Sequence, residues 1–402
     1  MIRRVILRSP SAEATLGCRD SLYRHQMRSY TPTAMAVEVP DHLSGEAVAE
    51  RTKAIENLAV SRVGQELGVD VVAVRHTSAD AERLAEAAAI VASASRKPLI
   101  LCSLDVDALR GALETLSGHR PLIYAATKEN WVEMANLAEK YDAPLAVAEP
   151  NLDLMEEIVR RLWGAGVDEL VLDPGCSPKS RNWPSMELQS LVDARSRALS
   201  GAEEFAYPLM AVTAKAWLQT WPESPVEAAM AEACTAAVLM LRYADLLVLH
   251  ASQTWALLPL LALRQGLFAD PRRPPKVEPG LKAVGSPGVD APVLVTTNYT
   301  QTYHLVRSDL ERAGVDAYLL VVDTGGLSVR SALAGGQLNP KTIAKALKEA
   351  KAEKITKSRT LILPGHAKHL KSEVEQLTGW KAIIGPKDSI KIGQFVENLR
   401  NS

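Results

Sequence analysis

PVLVTTNYTQTYHLVRSDLERAGVDAYLLVVDTGGLSV, residues 292–329, is followed by RTLILPGHAKHL at 359–370 and GWKAIIGPKDS at 379–389. Each piece opens or contains a short apolar run that ends in Thr, Asn, Gly or Pro, and a helical pattern follows most of them. Strands alternating with helices build a parallel sheet, and open sheets of this kind bind ligands at the carboxyl ends of their strands. The pattern predicts strands at Val293–Thr297, Ala317–Asp323, Thr360–Leu363 and Lys381–Ile384. Helices are expected at Gln301–Gly314, Val329–Gly335, Pro340–Ala352, Ala367–Thr378 and Ile390–Leu399. Asn339 and Pro340 form a helix start, an N-cap followed by a residue whose fixed φ suits the first turn. Residues 292–402 therefore read as a small flavodoxin-like (Rossmann-like) α/β domain whose ligand edge is rich in small polar residues.

Upstream, strand and helix patterns alternate eight times between Met35 and His250, with strands expected at 34–39, 69–74, 98–103, 121–126, 144–149, 168–173, 206–213 and 245–250. Amphipathic stretches such as NLDLMEEIVRRLWGAG, closed by glycine, fill the gaps. Eight such units match a (β/α)8 TIM-like barrel over 31–270; an open doubly wound sheet is the alternative. Residues 1–30 stand outside this rhythm as an N-terminal extension, with VILRS as a strand covering the bottom of the barrel and SLYRHQMRSYTPT as a loop leading into its first strand. Five prolines between Pro271 and Pro287 forbid a continuous helix, so 271–291 reads as an extended connection between two cores.

Composition narrows the function classes. With 402 residues, 47% apolar and 23% charged, a soluble globular chain is expected. Lys plus Arg (46) nearly balance Asp plus Glu (47), and no basic, aromatic-studded run points to nucleic acid. Val5–Leu7 is too short for a signal core, and Leu246–Phe268 is interrupted by His250, Ser252, Gln253 and Arg264, which argues against a membrane span. A cytoplasmic location follows. The four cysteines, Cys18, Cys102, Cys176 and Cys234, lie far apart without any C-x-x-C spacing. Cys176, after the strand in VLDPGC, is the one placed for reactivity; buried thiols are otherwise inert.

The linked runs LRQG, ADPRRP, VEPGL, APVLVTTNYTQTYHLV, YLLVVDTGGLSV, LPG and GPKDS, from about Tyr243 to the C-terminus, resemble the large subunit of the corrinoid iron–sulfur protein, the gamma subunit of the acetyl-CoA synthase/decarbonylase complex. Over the barrel the resemblance is mainly architectural. It implies a corrinoid-binding C-terminal domain that holds a base-off cobamide, a vitamin B12-type corrinoid, with no protein ligand on the cobalt. It implies a carrier rather than a self-sufficient enzyme: Co(I) accepts a methyl group from a methyl-tetrahydrofolate or pterin methyltransferase, and methyl-Co(III) gives it to acetyl-CoA synthase. The implied partners are a barrel-like small subunit, in a heterodimer, that methyltransferase, acetyl-CoA synthase and a reductive activator.

Transferred position by position, the resemblance implies that Thr296, Asn298 and Thr302 contact the corrin. Gly326, Leu327, Ser328 and Val329 would take the cofactor's edge or tail, Pro364 and Gly365 would flank its nucleotide tail, and Gly385, Pro386, Asp388 and Ser389 would close the far side. From the residues alone, TTN and DTGG are also ordinary turn chemistry at strand ends. No D-x-H-x-x-G spacing offers a lower cobalt ligand; His304 and His366 read as hydrogen-bonding residues. The family's four-cysteine 4Fe–4S module has no counterpart near Cys18, so no iron–sulfur cluster is expected in this chain. Two other functions stay open. The barrel's strand ends offer His76, Asp105, Thr127, Lys128, Glu149, Asn151, Asp173, Thr213, Lys215, His250 and Ser252, and Asp173-Pro174-Gly175 resembles the carboxylate of pterin-binding barrels, which would make the chain a pterin-dependent methyltransferase. The C-terminal domain would alternatively hold a flavin or nucleotide for electron transfer, although no G-x-G-x-x-G loop is present, and a cofactor-free docking subunit is a further option.

Overall fold

A computed structural model describes residues 2–17, 31–175, 182–269 and 276–400. The chain divides into two compact units, one of residues 1–60 and 66–268, the other of 61–65 and 269–402. The sites read into Cys18 and Cys176, and most of the loop read into 21–33, lie outside the described residues.

The first unit is built on eight parallel strands: Ala34–Pro40, Val71–Arg75, Leu99–Cys102, Leu122–Ala126, Leu145–Ala148, Leu170–Asp173, Met210–Val212 and Leu246–Leu249. The first six pair in chain order, and the eighth pairs with both the seventh and the first. Between the sixth and seventh stands a single parallel bridge, Leu172 to Leu209, so the sheet is a nearly closed barrel rather than an open sheet. An α-helix follows every strand, the seventh after a short 3-10 turn at Thr213–Leu218. Alternation sorts the side chains: Met35, Val37, Val72, Val74, Leu99 and Leu101 face the helices. Ala34, Ala36, Val71, Ala73, Ile100 and Leu122 fill the interior. Small residues on the first two strands leave room for the bulky ones opposite, as a filled barrel requires.

The N-terminal segment forms a hairpin, Arg4–Arg8 paired antiparallel with Glu13–Gly17. Val5, Leu7, Ala14 and Leu16 are buried against the interior layer of Ala34, Val71, Leu122, Val171 and Leu246. The hairpin thus plugs the amino end of the barrel. Its second strand escapes sequence reading because EATLG is short and carries a glycine. At the same end, Arg195 and Asp245 form a fully buried ion pair 2.5 Å apart, and the same Asp245 oxygen accepts from the Leu209 amide at 2.9 Å.

In the second unit, Gly280–Val284, Ala317–Val322, Val293–Thr297, Thr360–Leu363 and Lys381–Ile384 lie side by side in that order. The last four are mutually parallel, and Gly280–Val284 runs antiparallel at the edge. Its place falls inside the stretch read as an extended connection; Pro279 and Pro287 bracket it, as prolines can at an edge strand. One sheet face packs Val293, Val295, Leu320 and Leu361 against Ile343, Leu347 and Val374. The other packs Leu294, Leu319, Val321 and Ile362 against Tyr303, Leu310, Ile392 and Val396. Pro340–Glu349 begins with the expected cap, Asn339 accepting from the Thr342 amide in a capping box. No helix among the described residues is long and apolar enough to cross a membrane.

Replacing Asp245 by alanine would strand the Arg195 charge in the interior, and a loss of about 3–5 kcal/mol is expected. Urea or thermal denaturation measures it; a loss below about 1 kcal/mol, the scale of an exposed pair, would show that the guanidinium finds other partners.

Candidate functional site

In the second unit the chain leaves adjacent strands toward opposite faces. The helix after Val293–Thr297, Thr300–Arg312, joins the face of Tyr303 and Leu310. The helix after Thr360–Leu363, Lys371–Thr378, joins the face of Val374. Between two such strand ends an open sheet has a crevice, and here it is a cavity of about 280 Å³. Leu294, Val295, Val306, Ile362, Leu363 and Ile392 give it aliphatic walls.

Of the sequence-predicted residues, Thr296, Thr302, Ser328, Val329, Pro364, Gly365, Gly385, Pro386 and Ser389 line this cavity. Thr296 is buried and its hydroxyl has no hydrogen-bond partner, an arrangement that costs about 1–3 kcal/mol unless another group supplies one. The two glycines bring loops into contact. A Cβ on Gly365 would lie 2.7 Å from the Lys387 amide nitrogen, and one on Gly385 would lie 3.1 Å from the Leu363 carbonyl.

The remaining predicted residues are placed elsewhere. Asn298 is buried in the framework: its Oδ1 accepts from the Thr324 and Gly326 amides and the Thr324 hydroxyl, each at 3.0 Å, and its Nδ2 donates to Asp323 at 2.8 Å. Gly326 is held by that bond at φ +80°, a conformation that favours glycine. Leu327 packs against the sheet core. Asp388 is exposed and caps the turn Ser389–Lys391. Leu305, Arg330 and Lys387 line the cavity without having been singled out from the sequence, and His366 joins them. Leu305 is readable in retrospect, one helical turn beyond Thr302 on the same face.

The barrel unit gathers ionisable groups at the carboxyl ends of its strands. Glu38, inside the barrel, accepts from Arg75 at 2.8 and 2.9 Å and meets His250 Nδ1 at 2.5 Å. Burial opposes its ionisation, but the His250 hydrogen bond and the Arg75 charge outweigh burial and hold the carboxyl below its ordinary range. Tyr124 donates to Asp173 at 2.8 Å, and burial, then that carboxylate, push its phenol well up. Glu187 accepts from Trp183 at 2.9 Å and from Lys215 at 3.3 Å, while its Oε1 is buried without a partner. Burial raises its pKa to about 7, with Lys215 opposing and Asp173 reinforcing the shift. Several rim residues read as candidates serve local structure instead. Asp105 and Asn151 are helix N-caps, Thr127 is bonded to Asn130, and Thr213 donates to the Val248 carbonyl. Glu38 and Tyr124 were not legible, because only barrel closure turns these strand residues inward, nor was Glu187, a helix residue that meets Trp183 and Lys215 only in the folded unit.

A family model described as CO dehydrogenase/acetyl-CoA synthase delta subunit matches residues 4–396. The acetyl-CoA decarbonylase/synthase complex subunit gamma of Methanothermobacter thermautotrophicus is 39% identical over 389 residues, covering 96% of this chain and 84% of that one. The subunit of the same name from Archaeoglobus fulgidus is 36% identical, covering 95% and 81%. Among solved structures, dihydropteroate synthase from Thermus thermophilus aligns with a TM-score of 0.45 at 16% identity, covering 66% of this chain and 100% of that one.

Two outcomes are expected. Asn298→Ala removes every bond that holds the 323–326 turn to its neighbouring strand, and a loss on the order of 2 kcal/mol with faster hydrogen exchange at the Thr324 and Gly326 amides should follow; unchanged exchange would rule out this role. A carboxyl raised in the folded state binds its proton more tightly there, so Glu187 favours folding below its ordinary value of 4.5 and loses that contribution as the pH climbs through about 7. Glu187→Gln should flatten that part of the stability profile, read by denaturation at a series of pH values.

Proposed function

Because the chain belongs to the CO dehydrogenase/acetyl-CoA synthase delta subunit family, we infer that it is a corrinoid methyl carrier of the gamma-subunit type within an acetyl-CoA decarbonylase/synthase complex. The observation that carries this reading is the cavity at the strand ends of the second unit, lined in part by Thr296, whose buried hydroxyl has no hydrogen-bond partner. We read this unit as a flavodoxin-like corrinoid-binding domain: its parallel strands follow the order second, first, third, fourth. At about 280 Å³ the cavity is at the lower limit of ligand sites and suits an edge or tail of a cobamide rather than the whole cofactor.

The residues present fit that group. Thr296, Thr302, Ser328 and Ser389 offer hydroxyls to amide-fringed or phosphate-bearing edges, Gly365 and Gly385 keep the wall thin, and the aliphatic walls take an apolar ring. Leu305, 58% exposed, adds accessible apolar surface to the cavity lining. His366 accepts a hydrogen bond from Arg330 on Nε2 at 3.2 Å, which occupies a lone pair that would otherwise serve a metal and supports a base-off cobamide without a protein ligand. When bound, the cobalt supplies the methyl-transfer chemistry, between a methyl-tetrahydrofolate or pterin methyltransferase and an acceptor such as acetyl-CoA synthase. The protein's task is to bind, orient and shield it in a cytoplasmic assembly with a barrel-like small subunit and a reductive activator.

A second reading rests on Asp173, Glu187 and Lys215. Carboxylates beside an ammonium group suit the mixed donor and acceptor edge of a pterin, and would make the barrel itself the methyl donor's site.

Anaerobic absorbance titration with cobalamin, then reduction and methyl iodide, separates the readings. Binding that shifts the spectrum to the base-off form, followed by loss of the reduced-cobalt band on methylation, supports the carrier. Cobalamin that elutes unbound with an unaltered spectrum rejects it and favours the pterin site.

A further inference from the structure

We propose that the lysine-rich face carried by Pro340–Glu349 and Ala352–Ile355 is a docking surface for a carboxylate-rich protein, which the second unit meets transiently through salt-sensitive contacts. The inference goes beyond the corrinoid reading and does not depend on it.

Charge is distributed unevenly along this chain. Up to Phe268 it carries 26 Lys and Arg against 34 Asp and Glu, and from Lys276 onward it carries 18 against 12. The second unit is therefore basic in a protein whose net charge is -1. Its excess is concentrated, with seven basic and two acidic residues in the stretch from Lys341 to Arg359. All seven basic residues are exposed.

Helix charges elsewhere are matched by carboxylates one turn away: Arg160 meets Glu156, Arg161 meets Glu157 and Arg307 meets Glu311. Here the two acidic residues are taken by Lys345 and Arg359. Lys341, Lys348, Lys351, Lys354 and Lys357 have no carboxylate partner among the described residues. Lys341, Lys345 and Lys348 recur at helical spacing along one stripe, away from the buried Ile343 and Leu347. Like charges at that spacing oppose the helix, and Lys341 stands in the first turn, where the helix dipole disfavours a cation. Lys351 adopts φ +49°, in the left-handed region that favours glycine. Nothing within the unit offsets these terms; a partner bearing carboxylates does.

The composition of the face selects a protein as that partner. No aromatic residue and no arginine lies between Lys341 and Lys357, whereas surfaces that hold nucleic acid stack bases on such groups. Ile343 and Leu347 are buried in the unit's own core, so the helix has no apolar stripe to insert into a lipid surface. Lysines, flexible and strongly hydrated, suit the rim of an electrostatically steered contact. Ile355, 41% exposed beside Lys354, adds a small apolar centre.

The test uses a fluorescein-labelled decaglutamate peptide as the probe. Fluorescence anisotropy measures its binding to the full chain, to Lys341→Glu/Lys348→Glu, and to Lys53→Glu/Lys140→Glu, which reverses exposed lysines of the first unit. Circular dichroism verifies that both variants are folded. Reversal on the docking face is expected to weaken binding about tenfold or more, and the control reversal less than about twofold. Raising the salt from about 20 to about 200 mM should weaken wild-type binding steeply. Carbodiimide coupling, which joins an ammonium to a carboxylate directly, should attach the peptide to lysines within 341–357. Equal weakening in both variants, no weakening in either, or coupling spread evenly over other lysines overturns the docking face. Tighter binding of a DNA duplex or of phosphatidylglycerol vesicles, lost in the first variant alone, overturns it by assigning the lysines to those anions. Each of these results leaves the cobalamin titration, and the carrier reading it tests, untouched.

Discussion

Parallel strand pairing is the constraint on which the rest of this molecule depends. A parallel pair cannot be closed by a tight turn; each strand must be followed by a helix that carries the chain back to the sheet's other end. Both units obey this rule, and both therefore bury their strands from two sides and release polar loops at one edge only. The amino end of the barrel is filled by the hairpin's Val5, Leu7 and Leu16. The carboxyl ends hold the barrel's paired ionisable groups and the second unit's cavity.

The two sets of strand ends use this opportunity differently. In the barrel, Glu38, Arg75 and His250 satisfy one another, and Asp173, Tyr124, Glu187 and Lys215 do nearly the same, so charge is matched within the protein. Burying such groups is costly unless they are paired, and the cost here falls on Glu187, whose carboxyl burial pushes up to about 7. In the second unit the strand ends bear hydroxyls, glycines and unneutralised cations, and Thr296 keeps an unsatisfied hydroxyl. A site whose polar groups lack internal partners is suited to a ligand that brings them.

Much of this was legible in the amino-acid order. The eight barrel strands stand where apolar runs predicted them, because a strand buried on both faces must be continuously apolar over a few residues. TTN, LPG and GPKDS mark the cavity because a chain leaving a parallel strand needs small or turn-forming residues there. The edge strand Gly280–Val284 was missed among prolines, since a half-exposed edge leaves a weak apolar signal. Asn298 and Gly326 were expected at the ligand; neither lines the cavity, and the Asn298 amide side chain bonds the backbone of the 323–326 turn.

By itself, then, the sequence determined the order of strands and helices, the separation into two cores and the edge where small residues collect, since these follow from local periodicity and backbone preference. Tertiary structure alone decided which of those residues line a common space. Arg330, His366 and Lys387 come from a helix, a 3-10 turn and a loop far apart in the chain, and Glu38, Tyr124 and Glu187 from three separate barrel segments. Hydrogen bonds, burial and charge act over a few ångströms in space, and that proximity exists only after strands distant in the chain have paired.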